Sequence, residues 1–353
     1  MKLRPAHLGS TLRSLALRVT ARGRRRLALE HGALHSRTRK PGLVGVDFEG
    51  TVSSDGLEIS TYVVGPDDAE ATVVFIHGFT LAAEVFYMQV DYLRTNFPGV
   101  RSLLIDARGH GQTGPVAPAL CTVEGTAHDV LAAIREHAPT GPLILVGHSL
   151  GGLTALNLIK NADHELASRI SGLVLVATSI ESLSAQGLPQ VLASPIADRV
   201  RGTAEASPGD AAKFREYASQ FLAPTLATAV FHRPTNWKVI EFHAAMIHET
   251  PLETFVGFFD DLQEHDELDA AAALEDVDGF VIAGEKDNVT PLGQAERICE
   301  LWPKAHLQIA ADAGHMIPLE APMILNNAIA ALLRGISRRR SAPRNRQARR
   351  GSW

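Results

Sequence analysis

The chain predicts an α/β fold built on a mostly parallel, doubly wound sheet. Apolar runs of strand length recur at 72–76, 102–105, 143–147, 172–178, 279–284 and 305–310. Helical patterns lie between most of them, and strands that alternate with helices form a parallel sheet covered on both faces. The 353 residues are 45% apolar, ample for one large core carrying an insertion.

In chain order, Leu8, Leu12, Leu15 and Val19 follow the spacing of one helix face, with Arg13, Arg18 and Arg22 elsewhere on the wheel. A basic amphipathic helix of this kind can lie in a membrane interface; a solvated extension and an Arg-rich organelle-targeting segment fit the same residues. A secretory signal is disfavoured, because Glu30, His31 and His35 interrupt the apolar stretch it needs. From Gly42 the folded domain begins. Val44, Val46 and Phe48 alternate, Ser53-Ser54-Asp55-Gly56 turns the chain, and Leu57, Ile59 and Thr61 alternate again, which predicts a β-hairpin.

The run Thr72–Ile76 then enters His77-Gly78-Phe79-Thr80, and Leu143–Val146 enters Gly147-His148-Ser149-Leu150-Gly151 ahead of a helical stretch. That is strand, sharp turn, helix, with serine at the apex. The apex needs a strained backbone, and a Cβ at either flank would collide with a neighbouring element, which accounts for both glycines. Between Ser179 and Asp269 the pattern is helical with no convincing strand, and it holds many of the aromatics, Phe231, Trp237, Phe242, Phe255 and Phe258 among them. Gly279–Gly284 delivers Glu285-Lys286-Asp287, and His306–Ala310 is followed by Asp312-Ala313-Gly314-His315. From Ser337 to Trp353 there is no apolar periodicity, which predicts a disordered tail.

The net charge of −5 conceals an asymmetry: residues 1–40 hold eleven Lys/Arg and one acid, residues 334–353 hold eight Arg and no acid, and the body between them carries −23. An acidic body argues against nucleic acid as a partner of the folded domain, while basic tails are steered toward anionic surfaces. Two cysteines, Cys121 and Cys299, cannot form a disulfide framework. No apolar run approaches the roughly 20 residues that span a bilayer. The expectation is a cytoplasmic protein, with peripheral membrane contact through the basic N-terminal segment as the open alternative.

Serine, acid and histidine, each just past a strand and in that order, match the α/β-hydrolase superfamily. The chain resembles that superfamily over residues 43 to 334. The markers are His77-Gly78-Phe79, Asp106-Ala107-Arg108-Gly109-His110-Gly111, the turn at Ser149, Gly284-Glu285-Lys286-Asp287 and Gly314-His315. The resemblance implies an eight-stranded type of sheet and a helical cap at about 180–267. The α/β-hydrolase domain then covers 42–335, flanked by basic segments 1–41 and 336–353.

It also implies the chemistry. Ser149 would be the nucleophile, His315 the base that takes its proton, and Asp287 the carboxylate that orients the imidazole. Glu285 and Asp312 are the rival acids. The backbone N–H groups of Phe79 and Leu150 would form the oxyanion hole. His77, His110 and His148 read as loop-orienting groups. The histidines His232, His243, His248 and His265 lack a metal-ligand pattern, and no Gly-x-Gly-x-x-Gly follows a strand, so neither metal nor cofactor is expected.

The expected reaction is hydrolysis of carboxylic esters with an apolar acyl group, with water as second substrate. Serine at the elbow excludes the aspartate-dependent dehalogenases and epoxide hydrolases of this fold. Thioesterase and amidase activities use the same acyl-enzyme and stay open, as does a non-catalytic binding protein that kept the fold.

Overall fold

The computed structural model describes residues 46–182 and 229–341. The N-terminal periodicity, the first half of the helical interval and the last twelve residues lie outside them. Eight strands form one sheet in the order β1-β2-β4-β3-β5-β6-β7-β8. They are β1 (Phe48–Ser54), β2 (Leu57–Val64), β3 (Ala71–Ile76), β4 (Val100–Ile105), β5 (Leu143–His148), β6 (Ile170–Val176), β7 (Gly279–Gly284) and β8 (Ala305–Ala310). β2 runs antiparallel to both β1 and β4, and the pairs from β4 across to β8 are parallel.

The alternation within strands explains the double layer. In β3, Val73 and Phe75 enter one apolar cluster while Val74 and Ile76 enter another on the opposite face, and all four are fully buried. One face is covered by α1 (Tyr87–Asn96) and by the long C-terminal helix. The other is covered by α2 (Val123–His137), α3 (Leu150–Lys160) and α7 (Leu292–Leu301), where the fully buried Trp302 lies against Gly279. Between the last two, the chain passes through a short α4 (His164–Arg169), then α5 (Trp237–Glu249) and α6 (Leu252–Glu264); the described part of the 179–269 interval contains helices and no strand.

Three boundaries differ from the sequence expectation. The first hairpin strand is Phe48–Ser54, so Val52 is its buried apolar residue and Phe48 stays 45% exposed. The turn is tight because Asp55 and Gly56 both take positive φ, 50° and 78°. β6 stops at Val176 rather than 178, because Ala177 turns to φ 47° and directs the chain toward the strand ends. The last helix, α8 (Pro322–Ser341), runs past the expected boundary at 335. Ile336 packs into the core, Arg339 pairs with Asp278 at 3.1 Å, and Arg340 donates to the Glu70 carbonyl at 2.9 Å. Arginines in a last helical turn also complement the helix dipole.

Candidate active site

The loops at the carboxyl ends of β3, β5, β6 and β7, and the loop after β8, meet over the sheet, the usual ligand-binding end of such a fold. Ser149 occupies the turn between β5 and α3 with φ 54° and ψ −119°, left-handed backbone that few side chains adopt. The neighbours allow it only because they are glycine. A Cβ on Gly147 would stand 2.2 Å from the Gly151 carbonyl oxygen, and one on Gly151 would stand 2.0 Å from that of Ile76. The turn is pinned on both sides: Ser149 N–H donates to Val176 O at 2.9 Å, and Thr178 Oγ1 donates to Ser149 O at 2.8 Å.

His315 and Asp287 meet across the ends of β7 and β8. His315 Nδ1 donates to Asp287 Oδ2 at 2.8 Å, in a buried setting. Asp287 is itself held by Val289 N (2.8 Å) and Thr290 N (3.0 Å) on Oδ1, and by the Thr290 hydroxyl (2.8 Å) on Oδ2. Burial alone would raise the Asp287 carboxyl. The His315 imidazole and the Thr290 donors outweigh it and hold the group below its ordinary value. The rival acids are elsewhere: Glu285 is exposed and accepts from Asp312 N at 2.9 Å, and Asp312 is exposed on a φ of 54°.

Phe79, Ser149, Leu150 and His315 line one cavity of about 100 Å³, together with Ile247 from α5 and Phe255 and Leu262 from α6. Leu150 is the first residue of α3, so its N–H has no partner within the helix. Gly78 lets the Phe79 loop approach the serine: a Cβ there would lie 3.1 Å from Ser149 Cβ. α6 is tied to the loop after β4 by Thr254 Oγ1 donating to Gly109 O (2.8 Å) and to the start of α2 by Asp261 Oδ2 accepting from Val123 N (2.8 Å).

The remaining histidines tie loops. His77 Nδ1 donates to Gly78 O and its Nε2 accepts from Ala107 N; His110 Nδ1 donates to Arg108 O and its Nε2 accepts from Thr80 N. Burial keeps both neutral, pushing His110 down to about 3. Asp106 gathers the Tyr62 hydroxyl, Ala83 N and Gln112 N, each at 2.8 Å. Arg108 clamps Asp129 with contacts of 2.9 and 2.7 Å. His148 Nε2 donates to the His315 carbonyl at 2.9 Å, joining the serine turn to the histidine loop.

Two supporting residues lie outside the set that the sequence predicts for the site. Thr290 closes the Asp287 loop, where Asp287 Oδ1 accepts from the N–H of Val289, two residues on, in an Asx-type turn that is a readable signal. Glu320 carried no such signal, since acids are ordinarily exposed. Its buried carboxylate accepts from His232 N (2.8 Å), Arg233 N (2.9 Å), Gly314 N (3.0 Å) and Met316 N (3.2 Å). With His315 N donating to Val230 O at 2.9 Å, it binds the histidine loop to the segment leading into α5. Among the described residues, no group of three or more His, Cys, Asp or Glu is placed to hold a metal ion, and no helix is long and apolar enough to cross a membrane.

Comparison with known proteins agrees with this architecture. The chain is 24% identical over 277 residues to the mouse sn-1-specific diacylglycerol lipase ABHD11, covering 78% of this chain and 85% of that protein. It is 26% identical over 236 residues to the dihydrolipoyllysine-residue acetyltransferase component of the acetoin cleaving system of Pseudomonas putida, covering 66% of this chain but only 56% of that relative. Among solved structures, a thermophilic esterase from Thermogutta terrifontis superposes with a TM-score of 0.64 at 24% identity, over 82% of this chain and 98% of that one. The enol-lactonase from Burkholderia xenovorans LB400 gives 0.64 at 22% identity, over 80% and 99%. Residues 71–322 match the family described as alpha/beta hydrolase fold. The chain belongs to that family, and the proteins it resembles include a lipase and an esterase.

Proposed function

We propose that the protein is a serine hydrolase that cleaves carboxylic esters with a short apolar acyl group through an acyl-Ser149 intermediate. The observation that carries this reading is that Ser149, on its strained turn, shares a cavity with a histidine whose other ring nitrogen is bound to a buried carboxylate. In the first step Ser149 Oγ attacks the ester carbonyl carbon while His315 Nε2 takes its proton. Asp287 holds the ring in the tautomer that leaves Nε2 free to accept, and it stabilises the imidazolium. The oxyanion lies against the N–H groups of Phe79 and Leu150, each worth about 3–4 kcal/mol in the transition state. Collapse breaks the bond to the alcohol, which leaves with the proton from His315. Water then attacks the acyl-serine, giving its proton to His315, and the acid departs as Ser149 is restored.

A dry cavity of about 150 Å³ accepts benzene, so about 100 Å³ of space in a cavity partly open to solvent gives close contact to roughly four carbons. α5 and α6 are read here as part of a helical cap at about 180–267. The test is hydrolysis of p-nitrophenyl esters of graded chain length together with fluorophosphonate labelling. Activity is expected to peak near butyrate and to fall steeply by dodecanoate. Ser149→Ala should lower kcat/KM at least 10³-fold, a conservative figure for losing a nucleophile, and abolish labelling. An unlabelled, folded wild type would favour the non-catalytic binder. Thioester and amide substrates pass through the same intermediate and belong in the same panel.

The basic N-terminal segment, residues 1–40, is proposed to give a cytoplasmic enzyme peripheral contact with anionic membrane surfaces, with no role for nucleic acid.

A further inference from the structure

Besides the nucleophile Ser149 and His315, the polar side chains of the cavity wall are Thr80, His148, Thr178, Ser179, His243 and Thr290, and several of their polar atoms are engaged. His315 and Thr290 are bound to Asp287, Thr178 Oγ1 donates to Ser149 O, and His148 Nε2 donates to His315 O. His148 Nδ1 has no partner, but it faces the Gly78 backbone, where even an added Cβ would come within 2.8 Å. A substrate atom has no room there.

Ser179 differs. It is 1% exposed, it belongs to the wall of the same cavity, and its Oγ has no hydrogen-bond partner. A buried hydroxyl without a partner is disfavoured and asks for an explanation. The backbone is strained to put it there, since Ala177, two residues earlier, takes φ 47°. Strain of that kind gathers at functional sites. The same excursion places Thr178 on the serine turn, so Ser179 follows directly after a residue that touches the reacting loop.

We infer that Ser179 is a specificity-determining residue whose hydroxyl is reserved for an oxygen carried by the substrate beyond its scissile ester. A serine hydroxyl both donates and accepts, so a substrate hydroxyl or carbonyl satisfies it equally. The substrate class is therefore short esters whose apolar group bears one hydroxyl or oxo substituent, in preference to plain alkyl esters. This rests on the esterase reading above.

The test uses the full chain and pairs of esters differing only in a hydroxyl against a methyl. On the acyl side these are p-nitrophenyl 3-hydroxybutyrate and 3-methylbutyrate. On the alcohol side they are 2-hydroxypropyl and 2-methylpropyl acetate. The measured quantity is the ratio of kcat/KM for hydroxyl over methyl, which cancels any difference in folded fraction between wild type and Ser179→Ala. On one of the two sides that ratio is expected to fall about tenfold in the variant, equivalent to about 1.4 kcal/mol. The thermal midpoint should be no lower than that of wild type, because the substitution removes an unpaired buried group. Ratios that agree within twofold on both sides overturn the inference while leaving the esterase reading intact. A wild type no faster than Ser149→Ala on every ester overturns the esterase reading, and this inference with it.

Discussion

Asp287 illustrates how much one residue's surroundings contribute. Three donors from Val289 and Thr290 orient its carboxylate before the imidazole arrives, so the His315 ring meets an acceptor already in place. Replacing it with asparagine keeps the shape but offers an N–H₂ where an acceptor is needed, which favours the wrong histidine tautomer. Asp287→Asn is therefore expected to lower kcat by about 10⁴-fold, with a much smaller change in KM, read by steady-state kinetics on the best p-nitrophenyl ester. Residue identity alone could not choose among Glu285, Asp287 and Asp312, since all three lie just beyond strand ends. The choice follows from which loop turns inward: Asp287 is 5% exposed, whereas the other two carboxylates face solvent.

Among the elements, two buried carboxylates hold the helices around the cavity. Glu320 joins the histidine loop to the segment before α5, so Glu320→Ala leaves four backbone donors in need of partners. Hydrogen bonds to a charged group contribute about 1.5–3 kcal/mol each. With partial replacement by water, the expected cost is about 3 kcal/mol in denaturant unfolding, together with at least a tenfold loss of kcat. Glu267, at the end of the α6 segment, meets Asn157 and Lys160 of α3 and His265, each at 2.7 Å.

Burial alone would lower the His265 pKa, but the bond to Glu267 and the charges of Asp261 and Glu267 outweigh both burial and the opposing Lys160, and the pKa is raised. A raised histidine contributes its full stability below the unfolded value of about 6.5 and loses it as pH climbs through the folded value. The excess thermal midpoint of wild type over His265→Gln should therefore be largest at pH 6 and shrink toward pH 9. A constant difference across that range would refute the ion-pair account.

At the scale of the whole molecule, the chain is polarised along the strand direction. β1 begins at the end of the sheet where β2 finishes and β4 starts, as the pairs Phe48↔Val63 and Val64↔Ser102 require. α8 finishes at that same end, beside Glu70 and Asp278 ahead of β3 and β7. The described chain thus starts and stops opposite the cavity. Removing residues 1–40 and 342–353 is expected to leave ester hydrolysis within about twofold. Each basic residue near an anionic surface is worth about 1 kcal/mol, so the same deletion should abolish cosedimentation with phosphatidylglycerol vesicles; equal sedimentation of the two forms would sink the membrane proposal.

Local pattern was enough to read the layered α/β architecture, the glycine-flanked turn at Ser149 and the order of the candidate groups. Periodicity, turn chemistry and steric crowding act between near neighbours, and their record is written in consecutive residues. The first hairpin strand and the end of α8 were misplaced for the complementary reason: Phe48 is apolar yet faces outward, and Arg339 and Arg340 of the last turn find their partners 61 and 270 residues away. The resemblance already singles out Asp287 as the acid, but the gathering of N–H groups by Glu320 and the unpaired hydroxyl of Ser179 leave no local trace. Each depends on distances between segments remote in sequence, which come into being only once the chain has packed.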